Sequence, residues 1–102
     1  MSSASSPDDL AAHLGQLRQE LADAPPEVVI ANHGYGLFEL AALHLALDPP
    51  RIGAARLATE GLASLLEGLK GRLGADELSL RDNLSQLRLA LAKLDPELST
   101  SS

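Results

Sequence analysis

The sequence predicts an all-α protein of about four helices that pack as one helical bundle. Leucine and alanine make up most of the apolar residues, whereas Tyr35 and Phe38 are the only aromatic residues and β-branched residues are scarce. Leucine and alanine favour helices, and strands need the residue types that are scarce here. The leucines also recur at alternating spacings of three and four, which is the period of a helix with one apolar face.

A chain of 102 residues is long enough for one domain with a single core. Its two ends are polar and rich in serine, and proline pairs at 25–26 and 49–50 interrupt the apolar pattern. We therefore expect a flexible leader at 1–5, a single helical domain over 6–94 and a flexible tail at 95–102. The predicted helices span about residues 6–24, 26–47, 50–72 and 76–94.

The first predicted helix starts at a serine that can cap it. Ser6 precedes Pro7, a residue that suits the first helical position. One narrow apolar stripe of the coiled-coil kind follows. We call it the leucine seam, and it consists of Leu10, Leu14, Leu17 and Leu21.

The second predicted helix is apolar on almost all sides and must therefore be buried on almost all sides. Gly34 and Gly36 weaken it by about 1 kcal/mol each relative to alanine, and the sequence leaves open whether the helix is continuous through them. One chain does not supply enough cover for such a helix. We therefore expect a homodimer that buries it or the neighbouring third helix.

The third and fourth predicted helices carry the candidate interface residues. Small residues form a stripe on the third helix, which predicts that another backbone approaches it closely; the alternative is a weak, frayed helix. The fourth helix has the most regular leucine spacing in the sequence, with Asp76 or Ser79 as its cap. The candidates are Leu57, Gly61, Ser64, Gly68, Leu80, Leu84, Leu87 and Leu91.

Charge and composition exclude several classes of partner. The net charge of −6 opposes nucleic-acid binding, because phosphate contacts by Lys and Arg supply most non-specific affinity. The absence of cysteine excludes disulfides and thiolate metal sites. The most apolar stretch, 28–47, contains too many polar residues for a membrane span, and the N-terminus lacks the features of a secretory signal. We expect a cytoplasmic protein.

The charges are also unevenly spread along the chain. Arg18 is the only basic residue against seven acids in residues 1–50, whereas residues 51–94 hold seven basic and five acidic residues. The two halves can attract each other within one chain or between two copies. Solvated, unpaired charges are the alternative, because exposed ion pairs are weak.

The alternative to an interaction module is a polar site on the second helix, built from His33, Tyr35, Glu39 and His44. His44 and Asp48 have the spacing of a facing pair, which suits half of a metal site or, more commonly, a helix end. His33 and His44 are eleven residues apart and cannot share a metal ion on a continuous helix. No nucleophile motif or phosphate-binding loop is present. We therefore expect no enzyme activity and no cofactor.

Several segments together resemble a known family. They are Leu37-Phe38 with the small-residue and leucine-rich stretch that follows, the segment 68–73 (Gly-Leu-Lys-Gly-Arg-Leu) and the segment 84–89 (Leu-Ser-Gln-Leu-Arg-Leu). From about residue 27 to 94 the chain resembles a set of short bacterial proteins grouped as domain of unknown function 1844. The first helix and residues 32–36 depart from that pattern. The resemblance implies a small cytosolic helical protein and transfers no active residues.

These observations favour a non-enzymatic helical module for self-association and protein binding. Its expected partners are a second copy of itself and another protein. A small-molecule or metal-binding protein with the polar site on the second helix is the alternative hypothesis.

Overall fold

The computed structural model describes residues 6–94, and these residues fold into four α-helices. The helices are α1 (Pro7–Asp23), α2 (Pro26–Ala46), α3 (Ile52–Gly68) and α4 (Glu77–Leu94), with a short 3-10 turn at Gly74–Asp76. No β-strand occurs in this range, so the prediction of an all-α fold is confirmed. None of these helices is both long and apolar enough to cross a bilayer. The predicted leader (1–5) and tail (95–102) lie outside the described residues.

The core lies among α2, α3 and α4, which all pack against one another. Its buried side chains are aliphatic apart from Thr59, whose hydroxyl donates to the Ala55 carbonyl at 2.8 Å. The regular leucine face of α4 points into this core. The buried apolar residues are Ala31, Ala41, Ala55, Ala58, Leu62, Leu66, Leu73, Leu80, Leu84, Leu87 and Leu91.

The first helix, in contrast, contributes no buried residue. Its start follows the sequence, because the Ser6 hydroxyl accepts a hydrogen bond from the Asp9 backbone N–H at 3.1 Å. The molecule measures 57 × 36 × 16 Å and has a radius of gyration of 18.1 Å. A compact domain of this length has a radius of gyration of about 13 Å. The chain is therefore elongated, with one helix outside the core.

Helix α2 is continuous through both of its central glycines. Gly34 is buried, and a Cβ atom placed on it would lie 3.2 Å from both Cδ atoms of Leu80 and 3.3 Å from Leu65 Cδ2. The absence of a side chain at Gly34 lets α4 and α3 approach α2 closely. Gly36 faces open space. Gly34 thus lowers the helix propensity of α2 but allows the three helices to pack closely.

The connection from α3 to α4 is organised by one carboxylate. Glu77 accepts hydrogen bonds from the backbone N–H groups of Gly71 (2.9 Å) and Leu73 (3.2 Å). Arg81 donates to the same carboxylate at 3.1 Å and to the Leu66 carbonyl, also at 3.1 Å. The hydrogen bonds from the Gly71 and Leu73 N–H groups lower the pKa of Glu77 most; burial opposes them to a smaller extent, and the hydrogen bond and the charge of Arg81 lower the pKa further.

This arrangement also explains where α3 ends. The sequence predicts a third helix to residue 72, but α3 ends at Gly68. Gly71 and Gly74 take positive φ angles of 79° and 69°, a conformation that favours glycine and that an α-helix does not contain. The Gly71 N–H thereby turns to the Glu77 carboxylate instead of continuing the helical ladder. The other helix ends lie within two residues of the predicted bounds.

Candidate interaction surface

The four residues of the predicted polar site lie on α2 but do not converge. His33 and Glu39 are exposed, whereas Tyr35 and His44 are half-buried. The Tyr35 hydroxyl donates to Asp76 Oδ1 at 3.0 Å, so it links α2 to the 3-10 turn that precedes α4. Because α2 is unbroken, His33 and His44 are separated by about 16 Å along its axis. The structure therefore spreads these side chains over the helix.

The pair of His44 and Asp48 does not form. The buried Nδ1 atom of His44 has no hydrogen-bond partner, and the two side chains make no ion pair. Helix α2 ends at Ala46, and Leu47 is already extended, so Asp48 leaves the helical register that the spacing assumes. Among residues 6–94, no three His, Asp or Glu side chains come together in a way that would hold a metal ion.

Among residues 6–94, the glycines of the small-residue stripe of α3 do not meet another backbone. A Cβ atom on Gly61 would make ordinary contact with Leu37 at 3.6 Å, and one on Gly68 would meet nothing within 4 Å. Ser64 and Leu57 are exposed, and Leu57 is the more conspicuous of the two because 73% of it is accessible. These four interface candidates lie at or near the surface.

The other four interface candidates are part of the core. Leu80, Leu84, Leu87 and Leu91 are at most 6% exposed and pack inside a single chain. Their regular spacing marks the face that α4 turns towards α2 and α3. We therefore correct the sequence-based assignment: these leucines are not on a surface that a second molecule can reach.

The leucine seam of α1 is an exposed row of apolar side chains. Its members, Leu10, Leu14, Leu17 and Leu21, are between 42% and 61% exposed, although their spacing matches that of the buried leucines of α4. Monomeric proteins expose single leucines commonly, but a row of four on one helix face is typical of an interaction site.

The seam continues into a groove between α1 and α2. The groove has a volume of about 510 Å³ and is lined largely by aliphatic side chains. We call it the α1–α2 groove, and its lining residues are Leu17, Glu20, Leu21, Ala24, Val28, Val29, Asn32 and His33. Seam and groove form one surface, since they share Leu17 and Leu21.

Charged side chains flank the seam on both sides. By helical position, His13 and Glu20 lie along one edge, and Arg18 lies along the other. All three are exposed. The surface is thus an apolar strip with polar edges, which is the usual anatomy of a protein interface.

Sequence reasoning found the seam but not its exposure. A signal was available: Ala24 and Val28 continue the spacing of three and four beyond Leu21, across the proline pair. An apolar stripe that runs from one helix to the next without a matching partner stripe predicts such a groove. The sequence pattern instead favours interface candidates on α3 and α4, but the leucine face of α4 is buried.

The comparisons with known proteins give no relative: no protein-family model, curated protein or solved structure matches the chain. The resemblance to the bacterial family therefore stays a prediction.

Proposed function

We propose that this protein is a non-enzymatic helical module whose function is to self-associate, and that the leucine seam of α1 with the α1–α2 groove is its binding surface. The observation that carries the proposal is the exposure of all four seam leucines on a helix without any buried residue. Among the described residues, about half of each leucine on the apolar face of α1 stays in water, and an amphipathic helix of this kind gains stability from a partner.

The available apolar surface supports a weak to moderate association. The four seam leucines together expose the equivalent of about two whole leucine side chains per molecule. Complete burial of both seams in a dimer removes twice this leucine surface from water, which stabilises the dimer by roughly 6 to 12 kcal/mol. Loss of translational and rotational freedom costs about 4 to 15 kcal/mol. The groove adds Val28, which is 43% exposed. With the largest gain and the smallest cost, the seam leucines give about −8 kcal/mol, so a Kd near the micromolar range is the tightest association that the seam supports.

Light scattering after size exclusion tests the proposal directly. We expect the mass to rise from monomer to dimer as the protein concentration is raised from about 1 μM to 1 mM, a range that begins near the tightest expected affinity and extends to weaker association. A well-folded chain that stays monomeric over the whole range contradicts self-association.

Paired substitutions locate the surface. The double change Leu14→Glu and Leu17→Glu places two carboxylates in the middle of the seam, and we expect it to abolish the dimer. Leu78→Glu on α4 is the matched control, because Leu78 is 81% exposed and lies away from the seam. Helicity by circular dichroism checks that both proteins remain folded. A dimer that survives the double change but not the control places the interface elsewhere.

A further inference from the structure

We infer that two copies pair through α1 in an antiparallel arrangement, with the first half of each α1 lying over the α1–α2 groove of the other copy. This inference rests on the proposed self-association and adds its geometry. In this arrangement the α1 helix of a second molecule covers both the leucine seam and the α1–α2 groove.

The leucine spacing suits this arrangement. The intervals of four, three and four read the same in both directions, so reversing the helix reproduces its seam. In the antiparallel register Leu10 lies opposite the partner's Leu21, and Leu14 lies opposite the partner's Leu17. Each leucine then meets a leucine, as knobs meet holes in a coiled coil.

The flanking charges distinguish antiparallel from parallel pairing. In an antiparallel pair the edge that carries His13 and Glu20 faces the same edge of the partner, so His13 lies opposite the partner's Glu20. The contact occurs twice by symmetry, and an imidazole N–H can donate to a carboxylate. In a parallel pair His13 instead lies opposite the partner's Arg18, a guanidinium that only donates and cannot accept from the imidazole N–H, so the contact between His13 and Glu20 is lost. The charge pattern therefore favours the antiparallel pair.

The position of the core favours the same arrangement. Helices α2, α3 and α4 are attached at the C-terminal end of α1, which is about 25 Å long. Antiparallel pairing places the two cores at opposite ends of the helix pair, whereas parallel pairing brings both to the same end. Antiparallel pairing also carries the partner's Leu10 to Leu21, beside the valines of the groove. The groove is then filled by the second copy.

Cross-linking of single-cysteine variants tests the register, since the chain contains no cysteine of its own. Equal amounts of Leu10→Cys and Leu21→Cys proteins are mixed, treated with a short thiol-reactive cross-linker and analysed by mass spectrometry. We expect the mixed 10–21 product to dominate. Dominant 10–10 and 21–21 products, or no product from proteins that light scattering finds dimeric, overturn the inference and leave self-association standing. A monomeric wild-type chain overturns both.

Charge variants at His13 provide a second measurement that does not depend on cysteine. His13→Lys places a cation opposite the partner's Glu20, whereas His13→Glu places two carboxylates together. For the antiparallel pair we expect the lysine variant to bind more tightly and the glutamate variant more weakly, by roughly three- to fivefold in Kd in each direction. The reverse order indicates parallel pairing, and equal Kd values for both variants place this edge outside the interface. Either result overturns the inference.

Discussion

Alanine substitutions at Gly34 and Gly36, which are two residues apart on α2, should have different effects on the free energy of unfolding. At both positions, alanine favours the helix by about 1 kcal/mol over glycine. At Gly34 the added methyl group also meets both Cδ atoms of Leu80 at 3.2 Å and Leu65 Cδ2 at 3.3 Å. Leu80 is fully buried and cannot move aside freely. Overpacking of this kind typically costs about 1 to 3 kcal/mol. The free energies of unfolding of Gly34→Ala and Gly36→Ala should therefore differ by about 1 to 3 kcal/mol.

Urea unfolding followed by circular dichroism at one low protein concentration measures this difference. We expect Gly36→Ala to raise the free energy of unfolding by up to about 1 kcal/mol, because its methyl group faces open space. Gly34→Ala should range from neutral to about 2 kcal/mol destabilising. A Gly34→Ala protein as stable as Gly36→Ala would refute the close approach of α4 to α2 at Gly34.

Three further predictions concern single groups. Tyr35→Phe removes the hydrogen bond to Asp76 and should lower the free energy of unfolding in urea by about 0.5 to 1.5 kcal/mol. Glu77→Gln should destabilise at neutral pH. Because the folded-state pKa of Glu77 is lowered, its contribution is lost as the pH falls through that pKa, so urea midpoints of wild type and variant should converge in acid. Gly15→Ala, on an exposed face of α1, should raise helicity in circular dichroism and stabilise α1 by about 1 kcal/mol.

The fold was predictable because the period of the leucines and the positions of the prolines act locally. Pro7 and Pro26 lie at the first positions of α1 and α2 in the structure, as their fixed φ angles require. The end of α3 was not predictable, because it depends on Glu77, six residues beyond Gly71 in the chain. Gly68, Gly71 and Gly74 mark several places where a helix can stop, but the side chain that holds the turn comes from the next helix.

The binding surface was only half predictable, for a related reason. Periodicity identifies which face of a helix is apolar but not what covers that face. The leucines of α1 and those of α4 have the same spacing, yet Leu80 is fully buried and Leu21 is 61% exposed. The difference depends on which helices become neighbours. Likewise Gly34 signals a weak helix by propensity, and only the tertiary structure identifies it as a packing position.

The proline pair at the junction of α1 and α2 contributes to the exposure of the seam. Only Ala24 and Pro25 separate the helices, and both are extended, with ψ angles of 144° and 128°. Each precedes a proline, which disfavours the helical conformation at both positions. The two extended residues join the helices in an arrangement in which α1 does not pack along α2. The proline pair therefore opposes intramolecular cover of α1, and its leucines are left for a second molecule.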